Sequence, residues 1–121
     1  MPNVLDVGNC GFDHSSLEAI LRPFEAQLTA AHSADDALEH LRGGRFDLVL
    51  INRVFDRGGG SGLELLKSIK ADQQLADVPV ILITNFAQVQ QEAQAAGAEP
   101  GFGKSDLHSE STHQALSRFF I

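Results

Sequence analysis

The sequence predicts a doubly wound α/β domain, a three-layer sandwich in which a five-stranded parallel sheet is covered by helices on both faces. Three observations carry this. Strand-like and helix-like segments alternate regularly along the whole chain of 121 residues. Two apolar runs, "FDLVLI" at Phe46 to Ile51 and "VPVILIT" at Val78 to Thr84, are nearly continuous, as central strands are when both faces are covered. The segments are joined by short loops, which suits right-handed strand–helix–strand crossovers.

The first strand is "NVLDV", Asn3 to Val7. His14 to Gln27 follow, with Leu17, Ile20, Leu21 and Phe24 on one helical face. Pro23 is expected to kink or shorten that helix. "LTAAH", residues 28–32, reads as a weak alternating strand. Ser33 is a good N-cap, and Asp36 takes the capping-box position with a shorter acid than usual. Ala37, Leu38 and Leu41 supply the apolar face, and Gly43 or Gly44 stops the helix.

After the third strand, Asn52 to Gly62 form a glycine-bearing loop. "GLELLKSIKADQQ" is then an amphipathic helix carrying Leu63, Leu66 and Ile69. The fourth strand is Val78 to Thr84. Gln88 to Ala96 are helical by composition, and Gly97 ends them. "AEPGFG", residues 98–103, is a poor strand with three breakers, yet the order of elements calls for a fifth strand there. Residues 105–120 close the chain as a helix around Leu116, Phe119 and Phe120, with Ser109 or Ser111 as its cap.

A hydrophobic content of 43% at this length fits one domain, residues 1–121, with its own core. Sixteen acidic residues against nine basic ones give a net charge of −7. That balance opposes nucleic-acid binding and docking on anionic membranes. No segment approaches the apolar length of a membrane span. The start of the chain lacks the layout of a signal peptide, so a cytoplasmic protein is expected. The single cysteine, Cys10, excludes an internal disulfide and fits a reducing compartment. It reads as a small buried residue at a strand end. His14, His32, His40, His108 and His113 lack metal-ligand spacing and read as surface residues. No metal and no cofactor are expected.

In a doubly wound sheet the site lies beyond the carboxyl ends of the strands. The residues there are Gly8, Asn9 and Cys10, then Asn52, then Thr84 and Asn85, then Lys104 and Ser105. With the segment "GAEPGFGKS", they make the chain resemble a receiver domain of the bacterial response regulators. The resemblance covers essentially the whole chain. It implies the flavodoxin-like, chemotaxis-regulator fold with strand order 2-1-3-4-5. It also implies an acidic pair after strand one that helps hold magnesium, and an aspartate after strand three that accepts a phosphoryl group from a histidine kinase. A threonine or serine follows strand four, and a lysine and proline follow strand five.

On this alignment Gly8 and Asn9 stand at the acidic pair, and Asn52 stands at the phosphoacceptor. Val54 falls where the family offers a backbone carbonyl to the metal. Thr84 and Lys104 match the family, whereas Ser105 replaces the proline. Gly101 stands at the switch aromatic, and Phe102, one place later, is turned by alternation to the other face. The loop after Asn52 is longer than usual for the family.

An amide at position 52 carries no charge and attacks phosphorus poorly. Magnesium wants carboxylate oxygens, and phosphoryl transfer needs that positive charge. The expectation is therefore a pseudo-receiver without enzymatic activity that works by protein contact. Its partner would be a histidine kinase, another regulator or an output domain. A homodimer through helix four, strand five and helix five, between Gln88 and Phe120, would follow family practice. Two alternatives stand beside it: a small-anion or ligand sensor using Lys104, Thr84 and the glycine loop, and a receiver phosphorylated at a non-standard acid such as Asp56.

Lys104 reads either as a structural remnant or as an anion binder, within reach of Asn52, Thr84 or backbone carbonyls. Asp6 lies inside strand one with ambiguous facing, and Asp13 reads as a capping acid near the first helix. "DRGGGSG" lacks the Walker pattern and reads as a flexible loop. The apolar end "RFFI" fits a stand-alone adaptor and a piece of a longer regulator equally well.

Overall fold

Parallel strands that are apolar on both faces are stable only between two helical layers, and this sequence folds accordingly. The computed structural model describes residues 2–120; Met1 and Ile121, the last residue of the apolar end, lie outside the described residues. Strands β1 (Asn3–Val7), β2 (Gln27–Ala31), β3 (Leu48–Asn52) and β4 (Val80–Ile83) form one parallel sheet in the order β2-β1-β3-β4. Val4 pairs with Leu28 and Leu48, and Val49 with Val80, which fixes the register of the sheet.

Helices α1 (Gly11–Leu21), α2 (Ala34–Gly43), α3 (Gly62–Ala71), α4 (Ala87–Ala95) and α5 (Glu110–Ser117) complete the layers. Alternation along the strands splits the core in two. Leu5, Val7, Val49, Ile51, Val80 and Leu82 pack against α2, α3 and α4. Val4, Leu48, Leu50, Ile81 and Ile83 pack against Leu17 and Leu21 of α1 and Leu116 of α5. Phe102 belongs to this second cluster, the face to which alternation assigns it.

The helix starts are built by serines. Ser33 Oγ accepts from Asp36 N at 3.1 Å, Ser61 Oγ from Glu64 N at 3.3 Å, and Ser109 Oγ from Thr112 N at 3.3 Å. The Asp36 carboxylate reaches back past the cap to accept from His32 N at 3.2 Å, one residue farther than a capping box would. Pro23 ends α1 early: the chain continues as a 3-10 turn over Arg22–Phe24, and Glu25 leaves it with φ 56°. The last helix is also shorter than its apolar pattern suggests. Lys104–Asp106 form a separate 3-10 turn, and Ser109, not Ser111, is the cap.

The fifth strand is not formed among the described residues, and residues 98–103 lie beside β4 as irregular chain. Glu99 N donates to Val80 O at 2.8 Å, and Thr84 N donates to Phe102 O at 3.1 Å. A regular parallel ladder would match those two β4 positions to residues two apart; here Glu99 and Phe102 are three apart, so one residue bulges out. Pro100 has no N–H to give. Gly101 passes so close that a Cβ on it would lie 2.7 Å from Ile81 Cγ2 and 2.8 Å from Leu82 O. Gly101→Ala is therefore expected to destabilise the fold by about 1–3 kcal/mol through overpacking, read as a lower urea midpoint. An unchanged midpoint would show that the segment can move off β4 at no cost.

Candidate functional site

The site is assembled where β1, β3 and β4 end. β1 runs into Gly8, which takes φ +80°. Its N–H donates to Ala31 O at 2.9 Å, tying the turn to β2. β3 ends at Asn52, and the glycine-bearing loop folds back from there. Phe55 N donates to Gly60 O at 2.8 Å, Asp56 N to Gly8 O at 2.9 Å, and Gly62 N to Arg53 O at 2.8 Å. Gly58 and Gly59 make the reversal with φ of 76° and 66°, a region that favours glycine. The glycine-bearing loop thus folds back as a turn, and Phe55, only 5% exposed, is its anchor. The Phe55 ring lies directly against Gly8, because a Cβ there would stand 2.4 Å from Phe55 Cδ1.

Asn52 turns its amide inward on this turn. Nδ2 donates to Val54 O at 2.6 Å and to Gly8 O at 3.2 Å. Gly62, opening α3, must be small, since a Cβ on it would lie 2.1 Å from Asn52 O. Thr84 is buried, and its Oγ1 accepts from Phe86 N at 3.2 Å, which shapes the entry to α4. Asn85 Oδ1 accepts from Ser105 N at 3.1 Å and Ser105 Oγ at 3.0 Å, clasping the β4–α4 loop to the turn after Lys104.

Asn52, Thr84 and Lys104 line one shallow cleft together with Asn85 and Phe86. Gly8 borders Asn52 through its carbonyl, whereas Gly101 sits farther along β4, beside Ile81 and Leu82. Lys104 does not use its ammonium on Asn52, Thr84 or a backbone carbonyl. Nζ pairs with Asp13 Oδ2 at 2.6 Å. Asp13, read from sequence as a capping acid, lies in the first turn of α1 and serves as the partner of Lys104 instead. Arg53 stacks its guanidinium over the exposed Phe86 ring at 5.2 Å. Asp56 stands outside the cleft, 4.0 Å from His32 Nδ1. Cys10 is half-buried and begins α1, with His14 N donating to its carbonyl at 2.8 Å.

A second polar group emerges that sequence reading placed only vaguely. Asp6 is 1% exposed and Asn9 3% exposed, beneath the start of α1. Asn9 Nδ2 donates to Asp6 Oδ1 at 2.5 Å, and His14 Nδ1 lies 2.7 Å from Asp6 Oδ2. His14 is therefore no plain surface histidine: it pins α1 to β1. The available signal was an acid inside an otherwise apolar strand, which must find donors when buried. Burial pushes the Asp6 carboxyl above the ordinary carboxylate range and Asp13 nearby adds to the rise, while the Asn9 and His14 hydrogen bonds and the His14 charge oppose it. Among the described residues no three His, Cys, Asp or Glu side chains are grouped to hold a metal ion. No helix among them is long and apolar enough to cross a membrane.

Sheet order, layers and the cleft at the strand ends together define a receiver-type signalling module. Residues 14–104 match the family of response regulator receiver domains. The chain belongs to that family, a family of two-component signalling domains that are not enzymes in the classical sense. It is 35% identical over 91 residues to the chemotaxis protein CheY-3 of Vibrio cholerae, which covers 71% of this chain and 68% of that protein. It is 32% identical to the chemotaxis protein CheY of Pseudomonas aeruginosa, over 71% of this chain and 72% of that protein. Among solved structures, a putative response regulator from Chloroflexus aurantiacus superposes with a TM-score of 0.82 at 17% identity, covering 99% of this chain and 98% of that one. The receiver domain of a DNA-binding response regulator from Colwellia psychrerythraea gives a TM-score of 0.81 at 20% identity, over 98% and 97% of the two chains. At these identities the structures establish likeness of fold.

The raised Asp6 carboxyl has a measurable sign. Its contribution to stability is present below the ordinary carboxylate range and is lost as pH rises through its folded value. Urea titrations of the protein and of Asp6→Asn should show their stability difference moving in favour of the variant as pH rises through that window. A difference that stays flat from acid to neutral pH would mean that Asp6 is not desolvated as described.

Proposed function

We propose that residues 1–121 act as a single receiver unit that signals by protein contact, without a phosphoryl group at position 52. The observation that carries this reading is the Asn52 amide, which donates to the Val54 and Gly8 carbonyls. The Val54 carbonyl is the one the family resemblance assigns to a metal. An N–H and a cation compete for the same lone pairs, so the amide stands in for the positive charge of a metal. Lys104 supports the same reading, because Asp13 already neutralises the ammonium that would face an incoming anion. Phe55 supports it too, since its ring fills the space into which a residue-8 side chain would project. The partner is another two-component protein: a histidine kinase, a second regulator or an output domain. A homodimer is one form such contact takes.

The test is incubation with radiolabelled acetyl phosphate and magnesium. Label at background level is the expected result. Stable label would overturn the proposal, and peptide mapping would say whether Asp56 carries it. Asn52→Asp alone is expected to leave magnesium affinity low, as followed by NMR titration, because position 8 still lacks its acid. Gly8→Asp adds the acid but strains a positive-φ position and collides with Phe55, so it should lower stability by about 1–3 kcal/mol. A fully stable Gly8→Asp variant that binds magnesium tightly would contradict the packing argument.

A further inference from the structure

We propose that the Gln90 side chain is a bolt that holds β4, the entry to α4 and residues 99–103 in one arrangement, so that the domain meets its partner in a single state. This deepens the phosphorylation-independent reading and rests on it.

The bulge beside β4 leaves the Leu82 carbonyl without the backbone donor a fifth strand would bring. Gln90, from one turn inside α4, supplies it: Nε2 donates to Leu82 O at 2.8 Å. The same nitrogen lies 3.3 Å from Phe102 O and 3.4 Å from Thr84 O. One side chain thus reaches both sides of the gap, the β4 end and the segment that replaces the fifth strand. Its other end, Oε1, is buried and finds no donor. The amide is held by its N–H groups alone, and all three neighbours accept.

Gly101 is the other half of the device. A Cβ on Gly101 would lie 3.0 Å from Gln90 Oε1, in addition to its close approach to Ile81 and Leu82. A side chain at 101 would therefore crowd the Gln90 amide as well as β4. Position 101 is where the receiver resemblance places a movable aromatic, and here the neighbouring space holds a hydrogen-bonded amide. Thr84 is fixed along with it. Its N–H donates to Phe102 O, its Oγ1 accepts from Phe86 N, and its carbonyl faces Gln90. The Asn85–Ser105 clasp closes the same gap one step farther along. Any swing of residues 99–103 relative to β4 must break the Gln90 contacts on one side or the other.

The experiment is amide hydrogen exchange with 15N relaxation dispersion on the protein and on Gln90→Met, which keeps an apolar stem of similar length and removes the donor. In the unaltered protein, Leu82 to Phe86 and residues 99–103 should show no millisecond exchange. In Gln90→Met, protection of the Thr84 and Glu99 amides should fall about tenfold, the loss expected for one hydrogen bond to a buried carbonyl. Dispersion should appear in the same residues, with the β1 and β3 amides unchanged. Millisecond exchange in the unaltered protein would overturn the proposal, and so would undiminished protection in Gln90→Met. If Gln90→Met loosens every strand alike, Gln90 is a general stability element and the proposal also fails. None of these readouts uses a phosphodonor, so they stand or fall separately from the labelling experiment.

Discussion

The carboxyl edge of the sheet depends on the backbone conformation of one residue, Gly8, which orients the two peptide groups on either side of it. Its N–H is held by Ala31 and its carbonyl accepts from both Asn52 Nδ2 and Asp56 N. A positive φ turns the chain so that both can happen. β1, β2, β3 and the loop after β3 are thereby linked through a single residue. Phe55 can lie flat on this point only because there is no side chain to displace. The Asn52 amide, the folded loop and the position of α3 behind Gly62 all follow from that one turn.

Around it, polar groups gather in small sets that join neighbouring elements. Asn9 Nδ2 and His14 Nδ1 both pair with the Asp6 carboxylate beneath α1, while Asn9 Oδ1 is buried without a partner. Asp13 and Lys104 join the first helix to the end of the 98–104 segment. Thr84, Gln90 and the Phe102 carbonyl close the gap beside β4. Burial of unpaired polar groups is costly, so each set also fixes the elements that carry it.

Much of the fold was legible in the sequence because it depends on local rules. The two apolar runs became β3 and β4, Ser33 capped its helix, and Pro23 ended another. The weakness of "AEPGFG" was legible as well, but not its outcome. Pro100 and Gly101 argued against a strand, and the order of elements argued for one; what resolved the conflict was a side chain on α4 that lies 12 residues from Phe102. The strand-end residues of the cleft could be located from the order of elements. Their hydrogen-bond partners could not, because these depend on long-range geometry. Lys104 and Asp13 are 91 residues apart, and Asn52 and Gly8 are 44 apart. The Asp6–His14 pair spans only eight residues, yet it needs α1 to begin at Gly11, earlier than its apolar pattern indicates.

The packing of Phe55 on Gly8 also bears on the history open to this chain. An acid at position 8 meets less resistance once residue 55 is smaller, although the positive φ still opposes it. A smaller residue 55, taken first, leaves a void under the loop and gains nothing in exchange. Each single step is worse than the starting point, and the combination has to arrive together. The ring at position 55 and the bare Cα at position 8 are thus coupled choices, and neither can be exchanged without regard to the other.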